Sequence, residues 1–215
     1  MRRRSMLGSW AAAAASTLAF PALASSRRTI APMTDGPFYP PRAWRERWTD
    51  WDADLTTVQR DGRTLAASGE RLGIDLQLAD ADGRIVDRAE VEIWQCDSMA
   101  VYRHPRVPAE EGRHDAGFQG FGAASSSREG KLSFRTIRPV PYPGRTPHIH
   151  IKLRHPSFGE VSSQLFVAGD PGNARDFLWR ALAPADREAL DMRLQAAPAD
   201  SGLRWAVLHV LTVPT

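Results

Sequence analysis

The sequence predicts an all-β fold: an antiparallel β-sandwich with an extended N-terminal arm and a short helical excursion near the C-terminus. Three observations carry this. From about residue 72 the apolar residues recur at period two in several short segments, the spacing of half-buried strands. Turn signals such as ADADG at 79–83 and Glu129-Gly130 separate those segments. A single late stretch, residues 176–196, has helical spacing, which does not suit a βαβ arrangement.

In chain order, Arg2, Arg3 and Arg4 precede an alanine-rich apolar run that ends in Ala22-Leu23-Ala24. That is the pattern of a signal peptide over residues 1–24, and its consecutive arginines are in keeping with twin-arginine export. The alternative, a membrane anchor, is disfavoured by Ser9, Ser16 and Pro21 within the run and by the lack of a stop-transfer flank. The expectation is an exported protein, periplasmic or secreted, with no membrane attachment after removal of the signal. Residues 25–71 form the arm, rich at first in Pro, Trp and Asp, and its Trp-rich part at 44–51 could serve as the interface of a homo-oligomer. Residues 72–215 form the sandwich domain, and 215 residues suffice for one full core but are marginal for two.

The strands follow in order. Ile74, Leu76 and Leu78 alternate in one segment, and Val91 and Ile93 alternate with Glu92 and Trp94 in the next. Leu132, Phe134 and Thr136 share a face. HIHIKL, SSQLFVAGD and LRWAVLHVLT supply three more strands. Between the last two, Leu190 and Leu194 recur four apart in a helix that begins near Pro184 and Asp186.

Charge and cysteine content narrow the function. Residues 1–24 hold three arginines and no acid, so their removal takes the formal net charge from +3 to 0. The basic balance of the whole chain is therefore no argument for nucleic acid. Cys96 is the only cysteine, so no intrachain disulfide supports the fold.

The chemistry gathers in PYPGRTPHIHIKL, residues 141–153. Strand alternation puts His148, His150 and Lys152 on one face and Ile149, Ile151 and Leu153 on the other. Two imidazoles at i and i+2 can converge on one metal ion, or they can simply decorate a solvated strand face. Tyr142 favours the metal, because a phenolate is a hard anionic donor suited to a hard trivalent ion. Pro143 and Gly144 build a tight connection that could fold it back toward His148. A cupin-type site also uses H-x-H, but it needs a glycine six residues earlier and a glutamate four or five residues later. Those positions hold Tyr142, Arg154 and His155. A non-catalytic exported sandwich with a vestigial metal site is the other alternative.

The wider pattern decides the expectation. VEIWQCDSMAVYRH, FQGFG, KLSFRTIRPVPYPGRTPHIHIKL and SSQLFVAGDP, in that order and spacing, resemble the intradiol ring-cleavage dioxygenases from about Thr34 to about Pro171. That resemblance implies one Fe(III) per chain held by Tyr102, Tyr142, His148 and His150, with water or hydroxide as a fifth ligand. It implies that Tyr142 and His150 are axial and that substrate displaces Tyr142. It places Arg145 beside the substrate to stabilise charge on the ring, Gln164 behind the ligands, and Trp94 and Gln95 on the pocket wall. The implied partners are a catechol-type diol and O2, cleaved between the hydroxyls to a cis,cis-muconate-type diacid. Two stretches depart from the family pattern. The connection from Tyr142 to His148 is short, and SMAV precedes Tyr102 where a glycine is usual. His104 is expected to be a local hydrogen bonder, and His114, His155 and His209 receive no role.

Overall fold

The computed structural model describes residues 28–46, 50–107 and 113–214. The signal-peptide reading of residues 1–24 lies outside the described residues. The elements are α1 (Arg42–Arg45), β1 (Thr57–Arg60), β2 (Arg63–Ala66), β3 (Arg71–Asp80), β4 (Glu90–Trp94), β5 (Phe121–Ser125), β6 (Lys131–Ile137), β7 (His148–His155) and β8 (Gly159–Val167). A 3-10 turn (Asn173–Arg175) then leads to α2 (Phe177–Ala181), α3 (Pro184–Leu190), β9 (Asp191–Met192), β10 (Gln195–Ala196) and β11 (Trp205–Val213). Among the described residues no helix is long and apolar enough to cross a membrane.

Two sheets face one another, one ordered β10-β11-β3-β6 and the other β5-β4-β7-β8-β9. Leu72, Ile74, Leu76 and Leu78 of β3 point into the space between them and are buried. Val91 and Ile93 of β4 and Ile149, Ile151 and Leu153 of β7 meet them from the other sheet. This is the predicted sandwich, and the period-two apolar face accounts for it. Two pairings are parallel, β3 with β11 and β8 with β9. The second follows from the helical excursion, which carries the chain away from β8 and returns it in the same direction, as a crossover allows and a hairpin does not.

The helical stretch itself is shorter and more broken than its spacing predicts. Ala183 precedes Pro184 and sits at φ −65°, ψ 154°, so the chain leaves the helix there and starts again. The second helix stops at Leu190 because Asp191 and Met192 join β8 as an edge strand. Leu194 therefore lies beyond the helix, packed against the core. The β1–β2 hairpin, within the 25–71 arm, is not among the predicted strands. Its signal is Asp61-Gly62, both at positive φ (51° and 71°), the pair that suits a two-residue hairpin loop. Strand β5 is likewise a gain of the structure, since Phe121-Gly122-Ala123 has no alternation to announce it.

The second face of the five-stranded sheet is also buried, and it is polar. Glu92, His148, His150, Lys152 and Gln164 are each 4% exposed or less. The arm covers Glu92, Lys152 and His150. Glu92 accepts hydrogen bonds from the Tyr39 hydroxyl (2.6 Å) and Arg45 (2.6 Å), and pairs with Arg154 at 3.0 Å. Lys152 pairs with Asp35 (2.6 Å) and Glu160 (3.1 Å) and stands 4.0 Å from the centre of the Tyr39 ring. Burial and the bond to Glu92 push the Tyr39 phenol up to about 12, so it remains a donor. Buried charges persist only when paired in this way, and the pairing pins residues 35–45 across β4 and β7. Part of the Trp-rich arm is thereby used within the chain. Arg45 lies over the rings of Tyr39, Trp51 and Phe121, and Trp51 packs on Phe121.

Candidate metal centre

His148 opens β7, and its Nδ1 donates to the Thr146 carbonyl at 2.6 Å. That bond leaves Nε2 with a bare lone pair. Two phenol oxygens face it, Tyr102 Oη and Tyr142 Oη, each at 3.4 Å. Such a distance is long for an O–H···N hydrogen bond. It is close to the separation of two donors that each stand about 2.0–2.2 Å from one shared ion, which comes to roughly 3–3.5 Å. His150, two residues on and on the same face, lies 5.0 Å from His148 between ring centroids. Its ring stacks on Trp94 (4.8 Å, 12°), the residue opposite it on β4. Among the described residues His150 Nδ1 is buried without a hydrogen-bond partner, as is Nε1 of Trp94 stacked on it.

The tyrosines arrive by different routes. Tyr142 begins a turn in which the Arg145 N–H donates to its carbonyl at 2.9 Å. Pro143 suits the first corner of that turn, and Gly144, at φ 82°, the second. Tyr102 follows a loop organised by Asp97, whose Oδ1 accepts from the N–H groups of Met99 (2.9 Å) and Val101 (3.0 Å). Phe38 of the arm stacks on Tyr102 at 4.6 Å. Within that loop Ala100 takes φ 65°, the left-handed region, which explains why a glycine is usual before the tyrosine. Ala100→Gly is expected to stabilise the protein by roughly 0.5–1 kcal/mol, the strain relieved less the entropy of the unfolded glycine. Urea melts would show it, and a lower midpoint would mean that the alanine is not strained.

Burial sets the protonation of the four groups. It pushes Tyr102 well above the ordinary phenol value near 10 and Tyr142 above it as well, although Arg145 opposes the second shift. It lowers His148 to about 4 and His150 well below its usual value. At neutral pH both imidazoles are therefore neutral, with lone pairs to offer, and both phenols keep their protons unless a strong cation displaces them. Among the described residues no three of the His, Cys, Asp and Glu side chains gather into a metal-binding group, and the side-chain oxygens that face His148 Nε2 are the two phenols. Two neutral nitrogens and two hard oxygens that can become anionic suit a ferric ion, and not the carboxylate-completed cupin set. Cys96, below Tyr102, is held protonated by burial, its thiol pushed up to about 12.

Arg145 is fixed beside this cluster. Its Nε donates to Asp176 (2.8 Å), one terminal nitrogen to Gln164 (2.5 Å) and the other to Tyr142 Oη (3.4 Å). Asp176 is the residue that sequence reasoning missed. It caps α2 by accepting from Leu178 N and Trp179 N (2.9 Å each), and it also accepts from Thr146 N at 3.0 Å. Burial pushes its carboxyl up, but the donors from Trp179, Thr146 and Arg145 outweigh burial and hold it below the usual range. Its only signal in the sequence is that of an N-cap, an aspartate just before FLWRA. A cleft of about 370 Å³ opens here, lined by Tyr142, Gly144, Arg145, Gly172, Arg175 and Asp176.

Six of the predicted site residues thus meet: Tyr102, Tyr142, His148, His150, Arg145 and Gln164, with Trp94 beneath His150. Gln95 does not join them. Just past Trp94, at the end of β4, it points to the other side, where it donates to the carbonyls of Ile137 (3.2 Å) and Cys96 (3.4 Å) and accepts from the Thr136 hydroxyl (2.9 Å). His104 accepts from the N–H of Arg106 at 3.1 Å, a local role as predicted.

A family model described as Dioxygenase matches residues 35–208. The chain belongs to the intradiol ring-cleavage dioxygenases. This family member is 31% identical over 160 residues to the protocatechuate 3,4-dioxygenase beta chain of Burkholderia cepacia, covering 70% of this chain and 66% of that one. It is 25% identical over 122 residues to a catechol 1,2-dioxygenase of Candida albicans, covering 48% of this chain and 38% of that one. It therefore spans less than two thirds of either relative. Solved structures share the fold. The dioxygenase domain of a dioxygenase carbohydrate-binding protein fusion from Streptomyces sp. SirexAA-E has a TM-score of 0.60 at 24% identity, over 86% of this chain and 99% of that one. An intradiol ring-cleavage dioxygenase from Tetranychus urticae has a TM-score of 0.62 at 19% identity, over 87% and 95%.

Proposed function

We propose that this chain is a non-haem Fe(III)-dependent intradiol dioxygenase. It would insert both atoms of O2 into a catechol-type diol and cleave the ring between the two hydroxyls, giving a cis,cis-muconate-type diacid. The observation that carries this is the pair of phenol oxygens at 3.4 Å from one imidazole nitrogen whose other nitrogen is tied to a carbonyl. Tyr102, Tyr142, His148 and His150 would hold one ferric ion. Such an ion lends the closed-shell diol the reactivity toward dioxygen that it lacks in solution.

The chain's own residues supply the rest. Tyr142 sits on a glycine-containing turn at the cleft and is less buried than Tyr102, so it is the phenol free to move when a diol enters. Its oxygen, once anionic, is the base placed to take a proton from the diol. Arg145 holds a positive charge 3.4 Å from that oxygen, where charge gathers on an ionised ring, and Asp176 and Gln164 keep it aimed. Trp94 and Phe38 close the side away from the cleft and exclude water from the imidazoles.

The test is a visible spectrum of the purified protein after ferric loading, before and after anaerobic addition of catechols. Two phenolates on iron give a red charge-transfer colour, and diol binding should shift the band. A protein that stays colourless after loading would return the site to a non-catalytic sandwich.

A further inference from the structure

The polar face of the five-stranded sheet carries two register pairs in succession. Trp94 of β4 stands opposite His150 of β7, and Glu92 stands opposite Lys152 one step further along the same face. The first pair holds a donor of the site, and the second holds two buried charges. Both charges are tied to the arm. Lys152 donates to Asp35 at 2.6 Å, and the other oxygen of Asp35 accepts from the hydroxyl of Ser162, the partner of Lys152 on β8, at 2.5 Å. Glu92 accepts from the Tyr39 hydroxyl at 2.6 Å, and that hydroxyl accepts from Arg154 at 2.8 Å. The arm is thus tethered at two points four residues apart, and the span between them lies on the donors. Gly36, at φ 74°, runs against His150, since a β-carbon there would stand 3.4 Å from its Cε1. Phe38 stacks on Tyr102 at 4.6 Å and 19°. Tyr39 packs edge-on against Trp94 at 4.9 Å, and Trp94 stacks on His150.

We infer that residues 35–39 are a strap that positions the metal centre: Asp35 and Tyr39 anchor it, and Gly36 and Phe38 fix the rings of His150 and Tyr102. The inference rests on the ferric reading above. A donor ring binds an ion well when its orientation is set beforehand, and the groups packed behind the ligands set it. Buried charges suit the anchors, because an arm that lifts away strips a partner from Lys152 and from Glu92.

The experiment reads metal binding and the metal-free protein separately from turnover. Asp35→Asn keeps the shape of the anchor and removes its charge, while Lys152 retains Glu160 at 3.1 Å, so the variant should fold. Its affinity for ferric iron, measured by competition with a chelator, should fall about ten- to a hundred-fold, the range for groups that orient metal ligands. In the metal-free protein the Cε1–H signal of His150 in nuclear magnetic resonance should shift, while that of His209, in the other sheet, should stay. Arg28→Ala cuts an exposed contact of the arm, to Asp186 of α3, and should leave both readouts unchanged. Adding Lys152→Met to Asp35→Asn removes the buried charge too, so the melting temperature should recover while iron affinity stays low. Iron affinity that recovers together with the melting temperature means a packing role only and overturns the strap. If wild type takes up no iron while the His150 signal still shifts in Asp35→Asn, the ferric reading fails and the strap stands. If iron binds equally well in wild type and Asp35→Asn, the ferric reading stands and the strap fails.

Discussion

His148→Ala is expected to yield a folded protein that binds ferric iron about a hundred-fold or more weakly and cleaves no diol. His148 is the hub of the site, since both phenol oxygens face its Nε2 and its Nδ1 is tied to the Thr146 carbonyl. Without it the two tyrosines, one buried and one half-buried, have no basic nitrogen between them, and burial keeps them protonated. Tyr142→Phe should behave differently. Three donors remain, so iron should stay, but the charge-transfer band should move and turnover should fall to background because the mobile base is gone. Iron content by mass spectrometry, the visible spectrum and catechol consumption separate the two outcomes. Full iron and full activity in both variants would exclude this ligand set.

Asp176→Ala carries the second large effect. Four donors lose their acceptor at once: Arg145 Nε and the backbone N–H groups of Thr146, Leu178 and Trp179. Arg145, with a side chain 10% exposed, is left as a nearly buried charge without its counter-ion. Breaking one side of a buried pair costs about 3–5 kcal/mol, and loss of a helix cap costs about 1 kcal/mol. The position of Arg145 relaxes too, and a shift of about 1 Å beside the reacting ring is worth roughly a hundred-fold in rate. Asp176→Asn divides the roles, since an amide oxygen can still cap α2 while the negative charge is lost. The expected order is wild type above asparagine above alanine in melting temperature, with activity already low in the asparagine variant. An alanine variant that melts with wild type would show that Arg145 finds its place without Asp176.

Much of this molecule was legible locally. Period-two alternation marks β3, β4, β6, β7, β8 and β11, because the pleat sends successive side chains to opposite faces whatever the rest of the chain does. The same rule puts His148 and His150 on one face and sends Gln95 away from Trp94. It thereby corrects the pocket-wall role that the family resemblance implies for Gln95, since two adjacent residues in extended backbone cannot both line one wall. The Pro143-Gly144 turn is equally local. Ala183-Pro184 is too, and it breaks the helix that the leucine spacing suggested.

The sequence by itself determined the alternating strands of the sandwich, the face that carries the two imidazoles, and the turn that brings the Tyr142 phenol beside them. Each of these depends on residues within a few positions of one another, where backbone geometry leaves little choice. Only the tertiary structure decided which groups meet across the chain. Tyr102 reaches His148 over 46 residues, Arg145 finds Asp176 over 31, and Lys152 binds Asp35 over 117. No periodicity encodes such pairs. The last of them exists because the arm must cover a polar sheet face, and the charges it buries have to find partners wherever the fold brings them.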